Sequence, residues 1–340
     1  MHENRNNTLD VMKLVASYMV IFIHVLFPGK MGLAVDALAR FAVPLFFFVS
    51  GFYAYGASPE SIRRKAVRIA RLLIFAVLVY IVRDELRLLW NRDFRNVIGY
   101  WLSWMKPKTL LKLVVFNTPV YNVHLWYLLA CVYVYGLYYA AVKFAVPEKW
   151  IFSVSILALL AHLVLGEFLA TFHIVVPLSL VRNFALMGIP FFGFGLLARK
   201  HKCKIEGVSN WAIAAAMAIG MLESLLSVFL FGRNELYLGS VLVLAALVAI
   251  FIKYPNVHYP SWLLSLTGCS TYIYIFHPIL PGILGRVYGV LGIQFHESVA
   301  VQMVHPIIVC ILATVLAVWL GKLTQKNRLS WQGKDNGNKE

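Results

Sequence analysis

Asp10, Lys13 and His24 put a carboxylate, an ammonium and an imidazole into one otherwise apolar stretch of this 340-residue chain. At about 100° per residue, a helix places Asn6, Asp10, Lys13, Ser17 and His24 within a stripe about 60° wide. The other residues of the stretch, among them Leu14, Val15, Val20, Ile21 and Phe22, suit lipid or neighbouring helices. Lys13 and His24 then lie about 16 Å apart along the axis. With Lys13 at a bilayer edge, His24 falls near mid-depth, where an ionisable group is costly and marks a functional site by default. A neutral imidazole there can take the proton of a hydroxyl nucleophile. Asp10 would hold Lys13 or orient polar substrate groups. In the plainer reading, His24 bonds another helix and Lys13 snorkels to the surface.

Four further groups carry possible chemistry. Arg64, Arg68 and Arg71 follow an i, i+4, i+7 pattern and share a helix face, with Lys65 beside them. Guanidinium forks match phosphate geometry, so the stripe is a candidate clamp for a nucleotide-like cofactor. Its alternative is a membrane anchor touching lipid phosphates. His124 and Trp126, before Tyr127, open an apolar stretch. An aromatic belt accounts for Trp126, while His124 either lines an outward-facing mouth or sits among headgroups. Glu223, between Leu222 and Leu225, wants a cationic or hydrogen-bonding partner. His277 precedes Pro278, which frees a carbonyl and kinks a helix, so His277 lines the gap or bonds a freed backbone group.

These residues need helices in a membrane to position them. The chain is 61% hydrophobic and only 14% charged, with mean hydropathy +0.75. Soluble domains run at about 45–50% apolar and about 25% charged. The expectation is an all-α membrane protein of about ten transmembrane helices, near 9–27, 38–56, 67–90, 121–144, 150–168, 183–199, 209–230, 236–253, 262–284 and 299–321. The fifth is interrupted by His162 and Glu167, and residues 169–182 either extend it or form a re-entrant piece. Basic clusters after the second, sixth and tenth stretches place both termini in the cytoplasm. Residues 91–120 dissent, mixing Arg92, Arg95, Lys106, Lys108 and Lys112 with Trp101, Trp104, Leu110, Leu111 and Val114, as an interfacial amphipathic element would. Residues 1–327 form the expected membrane domain, and 328–340 a polar cytoplasmic tail. The first stretch lacks a small-residue cleavage site and is expected to be retained. No soluble domain is expected at either end.

Net charge is +16. Cytoplasmic loops of multi-pass proteins collect Lys and Arg, so membrane lipid and not nucleic acid is the expected partner. The four cysteines are too scattered for a metal site or a disulfide framework.

Taken in order, these pieces resemble the bacterial acyltransferase-3 family of integral membrane O-acyltransferases. The resemblance rests on Lys13, ten residues and His24, with Asp10 before them. It rests also on Pro44-Leu-Phe-Phe-Phe-Val-Ser50-Gly51-Phe52, Arg68-x-x-Arg71, His124-Leu-Trp126-Tyr127-Leu and Tyr-Ile-Tyr-Ile-Phe-His277-Pro. The family often has Arg where this chain has Lys13. Within the family the chain looks most like the membrane part of vancomycin-resistance serine racemases, through Leu222-Glu223-Ser-Leu-Leu and Arg233-Asn-Glu-Leu-Tyr-Leu. The resemblance implies an acyl-CoA donor, acetyl-CoA first, with its phosphates on Arg68 and Arg71. It implies His24 as base or transient acyl carrier, a glycan or other hydroxyl acceptor from the cell envelope, and a bacterial cytoplasmic membrane. A transporter of a small polar solute such as serine is the alternative, since the racemase half is missing.

Overall fold

Most of the described residues in each of the ten apolar stretches are helical in this computed structural model, which describes residues 6–90, 102, 105–118 and 123–336. The main helices are α1 (Asn7–His24), α2 (Gly29–Ala39), α3 (Ala42–Phe52), α4 (Pro59–Trp90), α5 (Pro107–Phe116), α6 (Trp126–Lys143) and α7 (Glu148–Leu163). They continue with α8 (Ile189–Lys200), α9 (Asn210–Phe231), α10 (Leu238–Lys253), α11 (Ser261–Leu266), α12 (Ser270–Phe276), α13 (Leu280–Val290) and α14 (Val299–Asn336). No strand occurs among the described residues. Six helical segments are long and apolar enough to cross a membrane: Gly29–Phe52, Val123–Lys143, Glu148–Phe168, Asn210–Phe231, Ser261–Val290 and Val299–Lys322. Charged residues hold α4 apart from this group, and α10 is apolar but shorter.

The boundaries differ from expectation where proline or a polar side chain intervenes. α1 stops at His24 because Pro28 disfavours helical backbone just before it. The second stretch starts earlier, at Gly29, and is interrupted between Ala39 and Ala42. α7 passes into a π-helical turn, Val164–Phe168. Residues 169–182 hold a turn, an irregular run and one helical turn, Leu178–Val181. In the interfacial stretch, α5 has no buried residue, and Leu110, Leu111 and Val114 are exposed as an amphipathic surface helix requires. Arg92, Arg95, Trp101 and Trp104 of that stretch lie outside the described residues, as do the last four residues of the polar tail.

The chain divides into two compact units. The first comprises Met1–Ala42, Ile205–Arg233 and Tyr237–Glu340. Its core joins Leu14 and Ile21 of α1 to Ile273, Leu280, Val309 and Ala313. α9 and α10 meet backbone to backbone, since a Cβ on Gly220 or Gly239 would overlap the other's carbonyl. Lipid is as apolar as leucine, so helices in it associate by such close packing of small residues. Asp36, fully buried, holds the Arg40 guanidinium at 2.8 Å and that of Arg233 at 2.9 Å.

The second unit comprises Val43–Lys204 and Asn234–Leu236. α3 and α8 touch at Gly51 and Gly195, where added Cβ atoms would overlap the carbonyls of Phe192 and Phe48. Ile62, Val134, Tyr135, Phe192 and Leu196 pack around them. Asn117, buried and left-handed at the end of α5 (φ 41°), ties three segments together. Its Nδ2 donates to the Trp126 carbonyl (3.0 Å), and its Oδ1 accepts from the Phe184 amide (2.7 Å).

Removing a buried charge that serves partners costs roughly 3–5 kcal/mol. Asp36→Asn leaves two guanidiniums without their counter-charge and is expected to lose stability on that scale. The thermal midpoint of the detergent-solubilised protein reads it. A midpoint equal to wild type would show that Asp36 does not anchor the first unit.

Candidate active site

α1 begins with Asn6, whose side chain accepts from the Leu9 amide (2.8 Å) and donates to the Phe251 carbonyl (3.0 Å). Thr8 bonds the Tyr254 carbonyl, so the start of α1 is pinned to the end of α10. Along the predicted stripe Ser17 is fully buried, Asp10 and Lys13 are half-buried and His24 is exposed. Lys13 pairs with Asp10 at 2.6 Å. Ser17 donates to the Lys13 carbonyl (2.9 Å) and reaches the Ser270 carbonyl (3.4 Å). The His24 ring stacks on His277, with centroids 5.4 Å apart and planes 29° apart. Ser17 to Ser270 and His24 to His277 are the same sequence offset, so α1 runs parallel to the chain from Ser270 to His277. The opposite face of α1, with Val15, Tyr18 and Phe22, lines an open apolar groove of about 590 Å³ beside Ile311.

His277 owes its place to Pro278. α12 ends at Phe276, and the turn His277–Ile279 leads into α13. Pro278 has no N–H for the Tyr274 carbonyl, which ends the regular ladder there. The His277 side chain is fully buried, and its Nδ1 lies 3.1 Å from the Ile273 carbonyl. A carbonyl only accepts, so Nδ1 carries the proton and Nε2 the lone pair. His277 is thus a ring of fixed tautomer on which the exposed His24, the last residue of α1, stacks.

Glu223 lies elsewhere in the first unit. Its carboxylate accepts from the Gly239 amide and from Ser227 Oγ (2.7 Å). Tyr237, which precedes α10, offers no side-chain cap, so Glu223 satisfies one of the donors orphaned at that helix start.

In the second unit, Arg64, Arg68 and Arg71 are exposed along one face of the first turns of α4. Among the described residues none of the three forms an ion pair, which leaves their forks open to an anion. Lys65 donates to the Tyr53 carbonyl (2.5 Å), and burial, followed by the charge of Arg68, holds its ammonium below the usual lysine range. His124 is buried in the turn before α6, its ring edge-on to Tyr80 at 4.9 Å. Arg83 lies over the Tyr80 ring, 4.7 Å from its centroid, and pairs with the buried Asp84. Trp126 is buried against Phe47.

The structure therefore brings Asp10, Lys13, His24 and His277 onto one seam of the first unit. It places the arginine stripe, His124 and Trp126 in the second. The sequence reading missed Asp36, Arg40, Asp84 and Asn117. For Asp36 the i, i+4 spacing to Arg40 was the available signal; Asn117 had none, because its partners are distant in sequence. Among the described residues no group of three or more His, Cys, Asp or Glu side chains is placed to hold a metal ion.

A family model described as an acyltransferase domain matches residues 6–322. The chain belongs to the acyltransferase-3 family. No curated protein and no solved structure matches it significantly. The match covers both units and all the candidate residues, and it identifies a membrane acyltransferase. It lends no support to a solute transporter.

Glu223→Gln keeps the size of the side chain and weakens its acceptor role at Gly239. A helix-capping role predicts a stability loss of about 1–2 kcal/mol with ligand binding intact. Thermal unfolding alongside acetyl-CoA binding measures both; weakened binding in a protein of unchanged stability would instead make Glu223 part of the ligand site.

Proposed function

We propose that this protein is a multi-pass O-acyltransferase that moves an acyl group, acetyl in the first instance, from acyl-CoA to a hydroxyl of a cell-envelope carbohydrate. The observation that carries the reading is His24 stacked on His277, on the helix face that also bears the Asp10–Lys13 pair. His24 acts as general base. It takes the proton of the acceptor hydroxyl as that oxygen attacks the thioester carbonyl, forming the C–O bond. Collapse of the tetrahedral intermediate breaks the C–S bond, and the CoA thiolate recovers the proton from the imidazolium. His277 is a positioning residue that fixes the plane of the His24 ring. Lys13, held by Asp10, keeps a positive charge on the same face.

Arg68 and Arg71, with Arg64, are the proposed phosphate clamp for CoA. Their exposure and the lack of carboxylate partners among the described residues support it, as does the fit of guanidinium forks to phosphate. His124 and Trp126 are proposed to contact the acceptor. In this reading about ten helices cross a bacterial cytoplasmic membrane, with both termini in the cytoplasm beside the CoA pool.

The test separates binding from chemistry. Arg68→Ala/Arg71→Ala is expected to weaken acetyl-CoA binding about tenfold or more, as lost charge-assisted hydrogen bonds do. His24→Ala is expected to bind acetyl-CoA normally and to lose about a hundredfold or more in release of the CoA thiol in cell membranes. Wild-type turnover in His24→Ala, or a folded wild type that binds no acetyl-CoA, would overturn the reading.

A further inference from the structure

The face of α1 turned away from His24 has no part in the proposed acyl transfer. Val15, Tyr18 and Phe22 of that face, with Ile311, Thr314 and Val315 of α14, line the open groove of about 590 Å³. Ligand sites span about 300–1,000 Å³, so the groove is of ligand size. All six residues belong to the first unit. Between the same two helices, Leu14 and Ile21 pack in one buried cluster with Val309, Ala313 and Ala317. Alanine at that contact lets the backbones approach, while the larger Val15, Ile311 and Val315 stay exposed beside it.

The two hydroxyls of the groove have no hydrogen left for a ligand. Thr314 Oγ1 donates to the Cys310 carbonyl at 2.8 Å, so it accepts from the Tyr18 hydroxyl, also at 2.8 Å. Each hydroxyl has a single hydrogen, and both are spent. None of the lining side chains is charged. The groove therefore suits a hydrocarbon chain and not a sugar.

Charge enters at one end. From Val299 to Gly321, α14 carries no Lys, Arg, Asp or Glu, and Lys322 is the first. Lys322 is exposed and forms no ion pair among the described residues. Eleven residues are about three helical turns, so Lys322 shares a face with Ile311 to within about 20°. Along the axis it lies about 10 Å beyond Val315 and about 16 Å beyond Ile311. That is about half of a hydrocarbon core of about 30 Å, the depth of one leaflet. Trp319, exposed between the groove and Lys322, marks the level of the headgroups. A cation at that level, in line with an uncharged groove, complements a molecule with an anionic head and an apolar chain.

We propose that the groove between α1 and α14 binds one acyl chain of an anionic glycerophospholipid whose headgroup pairs with Lys322. The bound chain bridges α1 and α14 on the side away from His24, and the site is independent of acyl transfer.

The full-length protein, delipidated in detergent, is titrated with phosphatidylglycerol and separately with phosphatidylcholine of the same chains. Native mass spectrometry counts the bound lipid. The first phosphatidylglycerol is expected to bind about fivefold more tightly than the first phosphatidylcholine, the gain from one lysine facing a headgroup of net negative charge. Lys322→Gln is expected to bring the two lipids level while chain binding persists. Val315→Trp, at an exposed position, fills the groove and is expected to remove the first lipid of either kind. Ile311→Trp repeats that comparison should Val315→Trp fail to fold. Equal affinities in the wild type would overturn the proposal, as would a preference for phosphatidylglycerol that survives unchanged in Lys322→Gln or in Val315→Trp. A dimer that added lipid dissociates would also overturn it, because the groove would then seat a second copy of the chain.

Discussion

Inside an apolar surround, a backbone carbonyl that loses its helical partner must find another donor, and water is not at hand to supply one. Pro278 and Pro190 each withdraw an N–H from a helical ladder. Near each proline a histidine donates from Nδ1 to a carbonyl: His277 to Ile273, and His162 to Leu186. The bond does two things at once. At Leu186 it supplies a donor where Pro190 has none, and at Ile273 it adds to the bond from the His277 amide; in both places it fixes the imidazole tautomer so that Nε2 is left as an acceptor. The chemistry proposed here depends on imidazoles of fixed orientation, and the helix breaks are what orient them.

The same constraint governs other polar side chains within the helices' packing. Glu223 answers the start of α10, Asn117 answers both Phe184 and Trp126, and Asn183 caps a π-helical turn. Each would read as costly in isolation. In place, each removes a cost that the backbone would otherwise carry. Asp36 does the equivalent for charge by serving Arg40 and Arg233 together. The exposed Arg64, Arg68 and Arg71 have no such internal duty among the described residues, which is why they suit a ligand better than a structural role.

Close helix approach supplies the remaining order. Gly51 with Gly195, and Gly220 with Gly239, let backbones touch where larger side chains would hold them apart. This matters more in lipid than in water, because burial of leucine against leucine gains little when the alternative is lipid. Shape and hydrogen bonding then set which helices pair, and so which side chains share a seam.

The sequence by itself determined the helices. Hydropathy located apolar stretches that are largely helical, and six segments are long and apolar enough to cross a membrane, where the need to bond every backbone group leaves helix as the form they take. The 3.6-residue period placed Asp10, Lys13, Ser17 and His24 on one face, which depends on local geometry alone. Proline chemistry located the break at His277. What only the tertiary structure decided is which distant groups meet. The stacking of His24 on His277 and the pairing of Asp36 with Arg233 join residues some two hundred positions apart. The donor that Glu223 finds at Gly239 is only 16 residues on, but across a turn whose path no periodicity records. His162 shows the division most clearly: the sequence marks it as an interruption in a span, but only the packing of Leu186 against its Nδ1 decides which nitrogen holds the proton.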